Sequence, residues 1–187
     1  TADMDIVTAV LVRRGGLDRC AGILEAMDLR TQPLVTGKSL HRVTGDRATV
    51  DLVVPDHLPK AVVTRIRRYS AVPIAGTQRA IDRAGRVAVT IDDLAAEIVT
   101  PDLQGAIVLK GRAAAADRRG TQRHTSDIAF LCSLVADPLE LARRLDAKER
   151  QSLRRIELAD DTRAAPWVFL EPDTRRDALD CWRALRG

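Results

Sequence analysis

The first part of the chain carries short apolar runs separated by turn residues, a pattern that predicts strands. Residues 4–12 are rich in β-branched side chains and lead to Gly15-Gly16, as expected for a strand followed by a turn. Residues 17–28 then place apolar side chains at helical spacing. The chain therefore begins with a strand and a short amphipathic helix.

A hairpin is predicted next. Residues 39–44 and 48–54 are both β-like, and the Gly45-Asp46 pair between them favours a tight turn. Pro55 lacks a backbone N–H and ends the second of these strands.

Residues 56–99 have a mixed pattern, in which strands are predicted at 71–74 and 86–91. From Thr100 the period becomes helical, with Thr100 as a predicted N-cap and Pro101 in the first turn of a helix to about residue 117. Later segments that repeat the apolar period of 3.6 residues are 124–136, 138–146, 148–159 and 172–185. We therefore predict an α/β (α+β) fold, with a mixed-sheet core in 1–99 and a helical module in 100–187.

Composition narrows the class of protein. Aromatic residues make up only 3% of the 187, which argues against a broad stacking platform for single-stranded nucleic acid. No apolar run is long enough for a membrane span or a signal peptide, so a soluble, cytoplasmic protein is predicted. The net charge is +4, and the basic residues are mostly arginine, a residue type that suits phosphate or carboxylate partners. GC-rich codon usage would also raise the arginine content.

Several residue types are predicted to be structural. The cysteines have no metal or disulfide spacing and are predicted to be reduced packing residues: Cys20, Cys132 and Cys181. The histidines also lack metal-ligand spacing: His41, His57 and His124. Large aromatic residues near the end of the chain are predicted to pack that segment onto the core: Trp167, Phe169 and Trp182.

Three aspartates stand out in the predicted strands. Asp3 and Asp5 alternate with apolar residues, so they share one face of a strand with Cα atoms ~7 Å apart. Such a pair is suited to hold Mg²⁺, which prefers oxygen ligands, although surface strands also produce it. Asp51 lies inside the apolar run of 48–54, where a lone charge requires a partner.

A second group of polar residues lies on two predicted helices. Lys110 has Ala106 and Ala114 one turn on either side, which gives a slender face that a ligand or a neighbour can approach closely. Asp127 follows on the next helix, after a basic loop. The arginines in or beside this loop are Arg118, Arg119 and Arg123.

The order of these motifs resembles a known superfamily. A strand with Asp-h-Asp-h (h is apolar), a helix and a later strand with h-Asp-h are similar to the core of DNA polymerase β-like nucleotidyltransferases. The later Lys-h-x-Ala helix, arginines and Asp-h-x-x-Leu resemble the AbiEii-type or MenT-type nucleotidyltransferase toxins. The resemblance spans residues 1–136 in scattered motifs.

The resemblance implies roles for these residues. Asp3 and Asp5 would be ligands of two Mg²⁺ ions that carry the triphosphate, and Asp51 would share a metal and serve the attacking hydroxyl. Lys110 would contact nucleotide phosphates, and Asp127 would position Lys110 or the metal shell.

The resemblance also bears on the basic loop and on the start of the chain. Thr1 matches a Ser/Thr of the family motif that lies in the site and is phosphorylated in some members. Arg118, Arg119 and Arg123 would form a phosphate-binding edge, with a solvated helical turn as the alternative. The family's Gly-Gly or Gly-Ser turn precedes the first acid, so we expect further residues before Thr1.

The implied activity is transfer of a nucleoside monophosphate from an NTP, CTP in particular, to the 3′ end of tRNA. This would block aminoacylation and growth, and a cognate antitoxin would be the protein partner. Two alternatives stay open: a nucleotidyltransferase acting on a small molecule, and a catalytically inactive relative that binds a partner or RNA. The sequence predicts no oligomeric state.

Overall fold

The computed structural model describes residues 2–7, 15–33, 39–58, 65–117 and 120–187, with the backbone alone described at 2–7, 40, 41 and 91. The fold is α+β, as predicted. Contacts divide the chain into two compact units, Thr1–Ile81 and Asp82–Gly187. The sequence predicts a division after residue 99, between strand-rich and helical segments. The contacts place the boundary after Ile81 and therefore group the hairpin of residues 84–101 with the helices.

The first unit is built around a mixed sheet. Its elements are β1 (Ala2–Val7), α1 (Gly16–Ala26), β2 (Arg30–Pro33), β3 (Leu40–Thr44), β4 (Ala48–Pro55), β5 (Arg65–Ile66), β6 (Tyr69–Ser70), β7 (Val72–Ile74) and α2 (Thr77–Asp82). The order in the sheet is β1-β4-β3-β2, with β7 also paired to β4. β1 and β7 run parallel to β4, and β3 runs antiparallel to it.

The predicted β3–β4 hairpin is confirmed. The Gly45 amide donates to the Ala48 carbonyl at 2.9 Å and closes the turn between the two strands. β4 is the central strand, and its apolar residues Val50, Leu52 and Val54 are buried. A hairpin next to a parallel strand explains the mixed character of the sheet.

The helix predicted at 17–28 is α1. Leu17, Ala21 and Leu24 lie on its buried side and belong to the same core as Val50 and Leu52 of β4. Their spacing of three and four residues is the spacing that places side chains on one face of a helix. This core therefore packs α1 against the sheet.

Asp56 connects the end of β4 to the start of α2. Its carboxylate accepts hydrogen bonds from the amides of Gly76 at 2.7 Å and Gln78 at 3.1 Å. The Thr77 hydroxyl donates to the Ile74 carbonyl at 2.6 Å. Burial raises the pKa of Asp56, but the hydrogen bonds from backbone amides, chiefly those of Gly76 and Gln78, together with the charge of His57 lower it, and the pKa lies below its ordinary value of 3.8.

The second unit consists of a hairpin followed by helices. Its elements are β8 (Ala84–Ile91), β9 (Leu94–Pro101), α3 (Leu103–Ala116), α4 (Thr121–Ser133), α5 (Pro138–Arg144), α6 (Ala147–Arg154) and α7 (Pro172–Arg186). Each of the predicted helical segments corresponds to one of these helices. None of the described helices combines the length and the apolar character needed to cross a bilayer.

The predicted start of the long helix is wrong by two residues. β9 continues through Thr100, which pairs with Gly85, and Pro101 ends this strand. The N-cap is Asp102, whose carboxylate accepts from the Gly105 amide at 2.7 Å. The Asp102 carboxylate thus satisfies a free amide at the helix N-terminus, which is the role predicted for the Thr100 hydroxyl.

The core of the second unit contains both tryptophans. Trp167 and Trp182 are buried, together with Ile107, Ile128 and Leu153. Phe169 is 52% exposed, so the prediction that it packs onto the core is wrong. Aromatic spacing near the end of the chain did not show which ring faces outward.

Candidate functional site

The carboxylates predicted to hold a metal occupy neighbouring strands of the first unit. β1 and β4 pair in parallel with Asp5 opposite Asp51 and Asp3 opposite Thr49. Neighbouring strands are ~4.8 Å apart, and directly paired positions lie on the same face of a sheet. Positions 3, 5 and 51 therefore share one face, because Asp3 and Asp5 are two residues apart.

Asp51 has a partner that the sequence reasoning missed. Arg42 Nε and Nη2 donate to the two carboxylate oxygens of Asp51, each at 2.8 Å. The Asp51 side chain is 18% exposed and that of Arg42 is 44% exposed. The β3–β4 register that makes them direct partners follows from the Gly45-Asp46 turn, so this hairpin carried the signal for the pair.

The donor set at this face suits a hard cation. Carboxylate oxygens are the ligands that Mg²⁺ prefers, and the strand positions that share this face are occupied by aspartates: Asp3, Asp5 and Asp51. Among the described side chains, no three His, Cys, Asp or Glu residues are placed to hold a metal ion. Asp3 and Asp5 are not among these side chains, because their backbone alone is described.

Lys110 and Asp127 form an ion pair in the second unit. Lys110 Nζ lies 2.7 Å from Asp127 Oδ2, and the two side chains are 26% and 36% exposed. The pair joins α3 to α4, which pack against each other. The ammonium group has three donors, and the ion pair with Asp127 engages it from one side.

His124 lies in the same cluster; the sequence predicts it as an exposed or hydrogen-bonded side chain and places it, alone among the histidines, near the candidate site. Its Nε2 is 3.6 Å from Asp117 Oδ2, and its side chain is 15% exposed. Burial and the positive charges of Lys110 and Arg123 lower the pKa of His124 below 6.5, against the opposing carboxylates. Among the described residues, His124 Nδ1 is buried without a hydrogen-bond partner.

The remaining predicted site residues have different outcomes. Arg123 is exposed on α4, one turn before Asp127, and has interactions with other residues. Thr1, Arg118 and Arg119 lie outside the described residues. The structure thus brings Asp5 next to Asp51 in one unit and Lys110 next to Asp127 in the other.

Comparisons with known proteins identify no relative of this chain. No model of a protein family, no curated protein and no solved structure matches the chain. Its function is therefore inferred from the residues of these two clusters.

Proposed function

We propose that this protein is a metal-dependent nucleotidyltransferase toxin. It would transfer a nucleoside monophosphate from an NTP, with CTP as the favoured donor, to the 3′ end of tRNA, and a cognate antitoxin would restrain it. The observation that carries the proposal is the parallel β1–β4 register, which pairs Asp5 with Asp51 and places Asp3 two residues away. This register supports the proposal because it puts the three acid positions on one face of the sheet.

The proposed reaction is an in-line displacement at the α-phosphorus. A bond forms between the acceptor hydroxyl oxygen and the α-phosphorus while the bond to pyrophosphate breaks. Asp3, Asp5 and Asp51 would hold the Mg²⁺ ions, which neutralise charge on the triphosphate when bound. Asp51 would take the hydroxyl proton, because it is the third acid and faces the same side as the other two positions.

Lys110 would bind the phosphates of the nucleotide. Its ammonium group is held by Asp127 at 2.7 Å and is 26% exposed, so it is both fixed and accessible. A positioned cation stabilises the charge that develops on the leaving pyrophosphate, and such preorganised charge is a main source of catalysis in phosphoryl transfer. Asp127 would act as a positioning residue for Lys110.

The test is a transfer assay with the purified protein. Each labelled NTP is incubated with Mg²⁺ and total tRNA; we expect label on the tRNA, strongest with CTP, and none after chelation. Asp5→Asn and Asp51→Asn should abolish the label. Asp46→Asn is the matched control, since Asp46 is exposed in the β3–β4 turn. Label on a small-molecule acceptor instead of tRNA would replace the proposed acceptor.

A second candidate function is favoured by the Arg42–Asp51 pair. Two hydrogen bonds of 2.8 Å already neutralise Asp51 without a metal, as expected in an inactive relative that only binds a partner or RNA. The two candidates differ in their response to Mg²⁺. If Mg²⁺ leaves the melting temperature unchanged, no acceptor is labelled and Asp51→Asn arrests growth as the wild type does, the inactive binding protein is the better description.

A further inference from the structure

The short β5–β6 hairpin of the first unit presents arginines at the surface. Ile66 pairs with Tyr69, so Arg67 and Arg68 form a two-residue loop between the strands. Ile66 is fully buried and Tyr69 packs against the same core. Arg65, Arg67 and Arg68 are exposed. One face of the hairpin therefore holds it on the core, while its arginines lie outside.

Arg67 has a backbone conformation that is unusual for arginine. Its φ is 56°, in the left-handed region that glycine adopts without strain. Two-residue hairpin loops commonly require such a φ, and glycine or asparagine usually supplies it. Helix α1 holds this turn, because the Arg67 amide donates to Asp18 Oδ1 and Arg67 Nη2 donates to Glu25 Oε2 at 2.6 Å. Arg67 therefore anchors the loop, and acidic residues of α1 balance its charge.

The other two arginines of the hairpin are presented differently. Among the described residues, no carboxylate pairs with Arg65 or Arg68. Arg68 Nη2 donates to the Tyr69 hydroxyl at 3.0 Å, and Arg68 Cζ lies 5.1 Å from the centre of the Tyr69 ring. The tyrosine orients this guanidinium group without neutralising it. The hairpin therefore offers two exposed positive charges, one of which is held in place.

We propose that the β5–β6 hairpin binds the phosphate backbone of RNA through Arg65 and Arg68. RNA is the acceptor in the proposed function, on which this inference rests. The planar guanidinium group matches two phosphate oxygens, and residues 65–70 include no acidic side chain to oppose a polyanion. A turn that α1 already fixes presents both charges with little further loss of chain entropy on binding.

The apolar residues of the hairpin favour RNA over a membrane or a protein as the partner. Ile66 is buried and Tyr69 is partly buried against the core, so neither serves as an exposed anchor. Attachment to a membrane surface uses exposed apolar side chains beside basic ones, and the centre of a protein interface is usually apolar. A surface that offers charge alone is typical of contact with nucleic-acid phosphates.

The experiment measures binding of fluorescent tRNA to the full chain by anisotropy. NTP is left out, so that binding is scored apart from transfer. We expect the double variant Arg65→Gln/Arg68→Gln to bind tRNA about tenfold more weakly at low salt, with a salt slope smaller by about two, since two phosphate contacts are lost. Arg47→Gln is the matched control and should bind as the wild type does, because Arg47 is exposed in the β3–β4 turn of the same unit.

Three results would overturn the proposal. Unchanged tRNA affinity of the double variant would show that the hairpin does not touch RNA. An equal loss of affinity in Arg47→Gln would show that net charge alone sets binding. Competition by polyglutamate as strong as that by unlabelled tRNA would identify an acidic protein as the better partner.

The same measurements separate this proposal from the transfer reaction. If tRNA binds through Arg65 and Arg68 but no NTP labels it, the transfer reaction is wrong and the RNA-binding hairpin stands. If the double variant labels tRNA and binds it as the wild type does, the hairpin is wrong and the transfer reaction stands.

Discussion

Lys110 Nζ and Asp127 Oδ2 lie 2.7 Å apart and join α3 to α4 across the second unit. Both side chains remain partly exposed, so the pair is accessible to a ligand. The sequence placed both residues in one candidate site, and the ion pair shows that they contact each other directly. Their roles in transfer remain a proposal, whereas their energetic coupling can be measured separately.

We expect Lys110→Met to abolish nucleotide transfer and Asp127→Asn to reduce it, because the second variant leaves the ammonium group unheld. The coupling free energy between the Lys110 and Asp127 side chains should be about 0.5–1 kcal/mol, as for a partly exposed ion pair. A double-mutant cycle of unfolding free energies measures it. Lys148→Met is the matched control, since Lys148 is exposed on α6. Full transfer by Lys110→Met would remove Lys110 from the site.

Asp56 should make the stability of the first unit sensitive to acid. Its pKa is held below 3.8, so its contribution is fully present above 3.8 and is lost as the pH falls through the folded pKa. We expect Asp56→Ala to cost about 2 kcal/mol at neutral pH, because the Gly76 and Gln78 amides lose a charged acceptor.

Denaturant unfolding of both proteins from neutral pH to below 3.8 measures this effect. The difference between wild type and Asp56→Ala should shrink as Asp56 takes up its proton. A difference that stays constant over this range would show that the carboxylate charge is not what stabilises the β4–α2 connection.

His124 should be neutral at pH 7. Its pKa is lowered below 6.5, so the unfolded chain binds this proton more readily than the folded one. The free energy of unfolding should therefore decrease as the pH falls from 6.5 through the folded pKa, and His124→Gln should lack this component. NMR titration of the imidazole gives the pKa directly. A value at or above 6.5 would contradict the assignment.

Gly111 marks a close approach between α3 and α6. A Cβ at this position would lie 2.8 Å from Leu153 Cδ2, and Leu153 is fully buried. We expect Gly111→Ala to destabilise the protein by about 1–3 kcal/mol, since overpacking outweighs the better helix propensity of alanine.

Two controls accompany Gly111→Ala. A Cβ at Gly85 meets nothing within 4 Å, so Gly85→Ala should leave the packing unchanged. Adding Leu153→Val to Gly111→Ala should recover part of the loss, because it removes volume at the point of contact. If the double variant is less stable than the sum of its parts, steric overlap is not the cause.

Local signals predicted much of the fold. The Gly45-Asp46 turn predicted the β3–β4 hairpin, and the apolar period predicted α1 and the helices from α3 to α7. Strand β2 was not predicted, because Arg30–Pro33 is too short and too polar to show a β pattern. The β9 strand was also missed, since its residues are largely exposed and do not alternate.

The sequence by itself determined which residues carry charge inside apolar segments: Asp3, Asp5 and Asp51 in strands, and Lys110 in a helix. Such patterns follow from alternation and helical period, which are properties of neighbouring residues. Only the tertiary structure decided the partners: Asp5 opposite Asp51, Arg42 on Asp51 and Lys110 on Asp127. These depend on strand register and helix packing, which bring together residues distant in the chain.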